Sequence, residues 1–331
     1  MIRAAIVGLG GWGRHIVRSL AGSDKIELVR AADVNARAVA DFARDHGLVL
    51  CAELEPLLTD GAIDAVILAT PHSLHEAQIL AVAGAGKHVF CEKPLALSKA
   101  SAERSIAACR AAGVVLGIGH ERRFEPGLIE IKRMVAEGTP GTIMHVESNF
   151  SHDKLAKVAA TDWRASPIEA PAAAMTGMGI HLTDAYIHLF GEVAEVYAQT
   201  ARRVTASQSG DVVSVQLRFA AGMTGYLNAI MATPLYLRFQ VFGSDAWVEA
   251  RNATHPDTPG ATTLTVCPKG GEPQSRELAW TGSVRANVEA FAEAVAGRAD
   301  YPFTCHEMLH NSAVFEAICR SVETGAPVAP P

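Results

Sequence analysis

The segment 172–191 reads AAAMTGMGIHLTDAYIHLFG. Its chemistry-bearing residues are His181, Asp184 and His188, spaced i, i+3 and i+7. On a helix they share one face. Two imidazoles and a carboxylate are residue types that bind zinc, move protons, or line the wet side of an amphipathic helix. The metal reading is the weakest on spacing. A catalytic zinc helix sets its histidines at i and i+4, as in HExxH, whereas these stand seven apart. No metal is expected. Leu182, Tyr186, Leu189 and Phe190 make an i, i+4, i+7, i+8 apolar stripe for a core, which turns the polar residues the opposite way. Proton transfer is the expectation, provided the rest of the chain supplies a redox partner.

That partner is signalled at the start of the chain. Gly8, Gly10 and Gly13 form GLGGWG, a GxGxxG turn directly after an apolar run, with Gly11 and Trp12 inside it. The tight turn excludes side chains, and the helix behind it offers free N–H groups to a pyrophosphate. Asp33 ends the next apolar run, about 20 residues on, where an acid that binds the ribose hydroxyls belongs. A carboxylate there repels a 2′-phosphate, so NAD is expected; NADP is the alternative, which Arg37 one helical turn on would serve. Glu92-Lys93-Pro94 ends a further apolar run. The carboxyl end of a strand in an open parallel sheet faces the ligand crevice. Pro94 restricts Lys93 to extended geometry and removes one amide.

These residues need elements to position them. RAAIVGLG, IELVRAADV, AIDAVILAT, HVFCEKP and VVLGIG read as strands. WGRHIVRSLAG, ARAVADFARDHG, HEAQILAVAGAG and SKASAERSIAACRAAG read as the helices between them. That alternation predicts an α/β fold with a doubly wound parallel sheet over 1–121, an NAD(P)-binding domain. After about Glu121 the rhythm changes. PGLIEIKRMVAEG is one more helix, and from Thr142 onward short runs such as TIMHVESNF and DVVSVQLRF alternate as half-buried antiparallel strands do. Helical patterns return at 283–297 and 305–324. The expectation for 122–331 is an α+β domain with a large, mostly antiparallel open sheet.

The totals exclude several classes. The chain has 331 residues, 49% of them hydrophobic, enough for two buried cores. A formal net charge of −6, with no run of Lys or Arg, leaves no footprint for nucleic acid or an anionic membrane surface. No apolar stretch reaches the roughly 18 residues of a membrane span. The N-terminus lacks a basic n-region and a cleavage site. Six scattered cysteines without a CxxC pair suit reduced, cytoplasmic thiols.

Several motifs now line up in order. GLGGWG with Asp33, ATPHSLHEAQILAVAGAGKHVFCEKPLA, GHERRFEPG, WRASP and GMGIHLTD together resemble the Gfo/Idh/MocA family of glucose–fructose oxidoreductase and inositol dehydrogenase. The resemblance runs from about Ile2 to Gly191. It implies a Rossmann first domain and a second domain whose open sheet covers the nicotinamide and serves oligomerisation, as a homodimer or homotetramer. It implies that Lys93 sits beside nicotinamide and substrate, and that His181 is the acid/base on the hydroxyl or carbonyl. Asp184 would touch the substrate or orient the histidine. Thr70 and Pro71 would lie against the cofactor, with His75 beginning the helix behind them and Glu92 beside Lys93. Arg123 matches the arginine of the family's RFxP segment.

Two departures loosen the link to sugar or inositol oxidation. The family's DxGxH has Gly177 in place of its aspartate, on the same face as His181 if the helix extends that far. The usual TPN is TPH here, with His72 in place of the asparagine near the adenosine. The implied reaction is hydride transfer between NAD(P) and a secondary alcohol or carbonyl of a sugar, polyol, cyclitol or related small molecule. A dihydrodiol, hemiacetal or carboxylated aldehyde is the alternative substrate, with Arg123, Trp163, Arg164 and His188 lining its site and the arginines and His188 as carboxylate contacts. A non-catalytic NAD-binding regulator is the rival class, to which Gly177 lends weight and Lys93 and His181 do not.

Overall fold

The computed structural model describes residues 1–156, 158–159, 162–205 and 207–331. They divide into two compact units, 1–121 with 284–309 and 122–283 with 310–331.

In the first unit strands and helices alternate: β1 (Ile2–Val7), α1 (Gly11–Ser19), β2 (Ile26–Ala32), α2 (Ala36–Asp45), β3 (Val49–Cys51), α3 (Glu55–Thr59), β4 (Ala65–Leu68), α4 (His75–Gly84), β5 (His88–Cys91), α5 (Lys99–Ala112) and β6 (Leu116–Ile118). The strands pair in the order β3-β2-β1-β4-β5-β6, all parallel. Central strands of such a sheet are covered on both faces, and Ala4, Ile6 and every residue of β4 are fully buried. The order reverses between β1 and β4, which opens a crevice at the carboxyl ends of those strands. Backbone bonds stitch that edge: Gly8 N–H to Ala32 O and Ala69 N–H to Val7 O, both 2.8 Å, and Glu92 N–H to Leu68 O, 2.9 Å. The GLGGWG turn, Asp33, Thr70 and Glu92-Lys93 all leave from it. The sequence reading passes over β3 and α3, which are too short to show a period.

The second unit opens with α6 (Pro126–Ala136), β7 (Ile143–Ser151) and α7 (Gly179–Phe190). The strands β8 (Val193–Ala201), β9 (Val212–Phe219), β10 (Thr224–Ile230), β11 (Tyr236–Gly243), β12 (Ala246–Asn252), β13 (Thr262–Pro268) and β14 (Gln274–Leu278) follow. The sheet order is β14-β13-β12-β11-β7-β10-β9-β8. Among the described residues only β7 with β10 pairs parallel in it, so the sheet is mostly antiparallel, as expected. Alternation puts Val146, Ser148, Phe150, Val215, Leu217 and Leu227 on the buried face. Tyr186 of α7 docks there: its hydroxyl donates to Tyr226 O at 2.7 Å and meets Ser148 Oγ at 2.5 Å. Burial pushes that phenol well above its usual pKa.

Two helices close the chain, α8 (Ser283–Val295) and α9 (Cys305–Thr324). The sequence reading ran the second domain unbroken to the C-terminus, whereas 284–309 packs within the first unit. The cause is visible at Gly117 of β6. A Cβ there would come within 2.7 Å of the rings of both Phe90 and Phe291. The missing side chain makes the slot that takes Phe291 of α8. Val284, Val288 and Ala292 join the same apolar core as Ile6 and Ile16. Among the described residues, no helix is long and apolar enough to cross a membrane.

Candidate active site

The glycine turn has the shape its spacing predicts, and each glycine does a different job. Gly8 has φ +93°, and a Cβ on it would sit 2.4 Å from Ala69 O. A Cβ on Gly13 would lie 1.9 Å from Gly8 O, so only glycine lets α1 approach β1 this closely. Gly10 and Gly11 are exposed, and a Cβ on either would meet nothing within 4 Å. The cradle is thus closed toward the protein and open toward the crevice. Helix α1 starts there without an acidic residue in its first turn, leaving its N-terminal N–H groups to an anion. Asp33 Oδ2 accepts from Leu9 N–H at 2.7 Å and Oδ1 from Asn35 N–H at 2.8 Å. The carboxylate is therefore fixed against the glycine turn, with a second lone pair on each oxygen for ribose hydroxyls. Arg37 is exposed on α2, and Trp12 is half-buried within the turn. These residues fit a dinucleotide.

Around the crevice His75 ties two loops together. Its Nδ1 lies 2.8 Å from Pro94 O and its Nε2 3.1 Å from Thr70 O, and the ring is fully buried. His75 thus locks the segment carrying Thr70 and Pro71 to the one carrying Glu92 and Lys93. His72, half-buried, opens a short turn with its ring edge-on to His75 at 5.8 Å. Thr70 Oγ1 donates to Gln78 Oε1 at 2.6 Å. Lys93 is half-buried, and the Lys93–Pro94 peptide is cis.

Glu92 is buried below them, and burial pushes its carboxyl up to about 7. A Cβ on Gly119 would come 2.5 Å from that carboxyl, so a glycine follows β6 to make room for it. A raised carboxyl pKa lowers stability as pH climbs. Below pH 4.5 folded and unfolded chains both hold the proton; between 4.5 and about 7 only the folded chain does; above 7 the full penalty applies. Cofactor-free Glu92→Gln should match wild type at pH 4 in urea melts and exceed it by about 1–3 kcal/mol at pH 8. An equal difference at both pH values would show that burial does not hold the proton on.

In the second unit α7 is buried on every side from Gly179 to Ile187, so it has no solvated polar face. His181 is 4% exposed and Asp184 2%. Instead of water, the polar face meets Arg123. Asp184 receives a fork from Arg123, Nη2 at 2.6 Å and Nε at 2.8 Å, with both side chains 3% exposed. Arg123 Nη1 reaches His188 Nδ1 at 2.9 Å, and Lys132 Nζ lies 2.7 Å from His188 Nε2. The i, i+4 relation of Asp184 and His188 is what lets one guanidinium hold both. One expectation needs correcting: α7 starts at Gly179 with Met178 as its cap, so Gly177 precedes the helix and does not share the His181 face. Arg164 stacks over Trp163 at 4.2 Å and reaches Asp162 at 3.5 Å, at the half-exposed end of the segment.

The ring of His181 instead faces Phe150, centroid to centroid 6.2 Å. Phe150 also meets His152 at 5.4 Å and His255 at 5.6 Å, and carries the Arg122 guanidinium at 4.4 Å. The sequence reading missed these four neighbours. The doubled arginine of ERRF and the turn composition of THPDTPG were the available signals, and neither points to α7.

Two family models cover most of the chain. The model described as "Oxidoreductase family, NAD-binding Rossmann fold" matches residues 2–120, and the "GFO/IDH/MocA C-terminal domain" matches 128–249. The myo-inositol 2-dehydrogenase of Thermotoga maritima is 32% identical over 84% of this chain and 81% of its own. The D-xylose 1-dehydrogenase (NADP(+)) 2 of Haloferax volcanii is 30% identical over 98% of both. This chain belongs to the Gfo/Idh/MocA oxidoreductases.

A crystal structure of aldose-aldose oxidoreductase from Caulobacter crescentus, complexed with glycerol, superposes with a TM-score of 0.88 at 26% identity, covering 99% of each chain. Membership gives the cradle its ligand. Members of this family bind a nicotinamide dinucleotide in a Rossmann domain, which the family model places at residues 2–120, and this chain is an NAD(P)-dependent dehydrogenase acting on alcohol groups.

Proposed function

We propose that this dehydrogenase oxidises a secondary alcohol of a sugar, polyol or cyclitol with NAD, or reduces the corresponding carbonyl. The observation that carries the reading is the half-closed glycine cradle, with Asp33 bonded into it. The relatives named for myo-inositol, D-xylose and aldoses support a polyhydroxylated substrate. Bound NAD supplies the hydride acceptor. His181 takes the hydroxyl proton as the hydride leaves, helped by Lys93 at the end of β5. Arg123 holds Asp184 and His188, so Asp184 acts in this proposal by fixing the α7 face that carries His181.

Screening sugars, polyols, inositols and dihydrodiols for NAD reduction tests the assignment. Turnover of a polyhydroxylated compound is expected; NAD binding with no turnover on the whole panel overturns it. Asp33→Ser should relax the cofactor preference toward NADP by about tenfold or more in the ratio of kcat/KM, since one charged hydrogen-bonding group is worth about 1.5–3 kcal/mol. An unchanged ratio would remove the ribose role of Asp33.

We further propose a cytoplasmic homo-oligomer. All six cysteines are free, which fits a reducing compartment. The sheet face opposite α7 presents a groove of about 400 Å³ lined by His145, Tyr197, Gln216 and Tyr226 among others. A second copy across that face makes the dimer or tetramer, and light scattering of Tyr226→Glu against wild type tests it. An unchanged mass would exclude this face.

A further inference from the structure

Around Phe150, the ring that His181 faces, lies a set of groups that nothing above uses. Asp257 Oδ1 is 2.6 Å from His255 Nδ1. A carboxylate only accepts, so Nδ1 of His255 carries the hydrogen and, in the neutral ring, Nε2 keeps its lone pair. Burial works against the Asp257 charge, but the bonds from His255, Lys154 and Thr258 hold the carboxyl well below its usual range. The turn is braced throughout. Thr254 Oγ1 donates to Thr258 O at 2.8 Å, and Trp280 Nε1 to Pro256 O at 3.0 Å. A Cβ on Gly260 would collide with Thr254 at 2.3 Å.

His152 faces His255 edge-on at 5.1 Å. Lys154 N–H donates to its Nδ1 at 3.2 Å, so in the neutral ring Nε2 bears the hydrogen. Burial first, then the neighbouring His255 and Lys154, push its pKa down to about 4, which keeps the ring neutral. With His255 neutral, the pair presents one acceptor and one donor. Arg122 adds a second donor. Glu125 holds its Nε at 2.6 Å and Nη2 at 3.2 Å, while the buried Nη1 has no partner among the described residues. The cations here are already matched, Arg122 by Glu125 and Lys154 by Asp257 at 3.0 Å.

A carboxylate or phosphate would bring a second acceptor against the lone pair of His255. A hydroxyl donates to one ring and accepts from the other. We propose that His255, oriented by Asp257 and paired with His152, is a specificity-determining contact for a hydroxyl group of the substrate beyond the one oxidised at His181. The inference rests on the proposed oxidation of a polyhydroxylated substrate and names part of its recognition. It also disfavours the carboxylated alternative, whose expected contacts Arg123 and Arg164 are paired with Asp184 and Asp162.

The test takes the best polyol found in the NAD-reduction panel, its deoxy analogues, and the uronic or aldonic acid of the same skeleton. His255→Ala should raise KM for the polyol about tenfold, the worth of one hydrogen bond with its partner left unpaired, with kcat changed much less. One deoxy analogue should lose that sensitivity. His255→Gln, whose amide oxygen reaches the place of Nε2, should recover most of the affinity. Equal losses on every deoxy analogue, no recovery in His255→Gln, or a wild-type preference for the acid would each overturn the contact while leaving the dehydrogenase assignment standing. A wild-type enzyme that oxidises no hydroxylated compound overturns the substrate class and this contact with it.

Discussion

Lys93→Ala and His181→Ala each lose about 10²–10⁴-fold in kcat on the polyol substrate, the usual worth of one general acid–base group. NADH binding, read by its fluorescence, stays within a few-fold of wild type in His181→Ala, because His181 belongs to the second unit and the glycine cradle to the first. His181 is 4% exposed, so a thermal melt must show the variant folded before its kcat is interpreted. The pH profile separates proton transfer from structural loss. Removing a group that takes the substrate proton abolishes one limb of the kcat profile, whereas damaged packing lowers the profile without changing its shape. Wild-type turnover in both variants would remove these two residues from the chemistry.

The second large effect is on stability. Asp184→Ala strands Arg123, and Arg123→Ala strands Asp184, each in a site where both side chains are 3% exposed. Breaking one partner of such a pair costs about 3–5 kcal/mol, whereas replacing both with apolar residues of similar size is often close to neutral. Urea midpoints of Arg123→Met, Asp184→Leu and the double variant should therefore show a coupling well above the ~0–1 kcal/mol of an exposed ion pair. A coupling inside that range would show that the fork contributes little. A further variant, Asp184→Asn, decides what Asp184 does. If it positions α7, Asp184→Asn lowers stability and kcat together. A kcat loss as large as that of His181→Ala at unchanged stability would make it a proton-transfer group, as its helical spacing first suggested.

The parallel sheet was legible because its signals are local. Continuous apolar runs such as AVIL in β4, buried throughout, are what a strand covered on both faces requires. Gly8, Gly10, Gly13 and Asp33 were legible for a related reason: a turn that must bring backbone to a phosphate admits few residues, so the chemistry is written in consecutive positions. The mostly antiparallel second sheet was readable from alternation, and α8 as a helix from its period. Its allegiance to the first unit was not, since that depends on a slot at Gly117, some 170 residues away in sequence from Phe291.

By itself, then, the sequence determined the fold class, the tight glycine turn and the spacing that puts Asp184 and His188 on one helix face. The tertiary structure decided what meets that face. Arg123, 61 residues before Asp184, takes its carboxylate, so the aspartate that the spacing set beside His181 for proton transfer sits in a buried ion pair. Likewise the grouping of Arg122, His152, His181 and His255 around Phe150 joins α7 to the segments that follow β7 and β12 and the one that precedes α6. Contacts between elements distant in the chain leave no periodic trace in it. Side-chain pairing depends on sheet register and helix docking, which only the folded chain specifies.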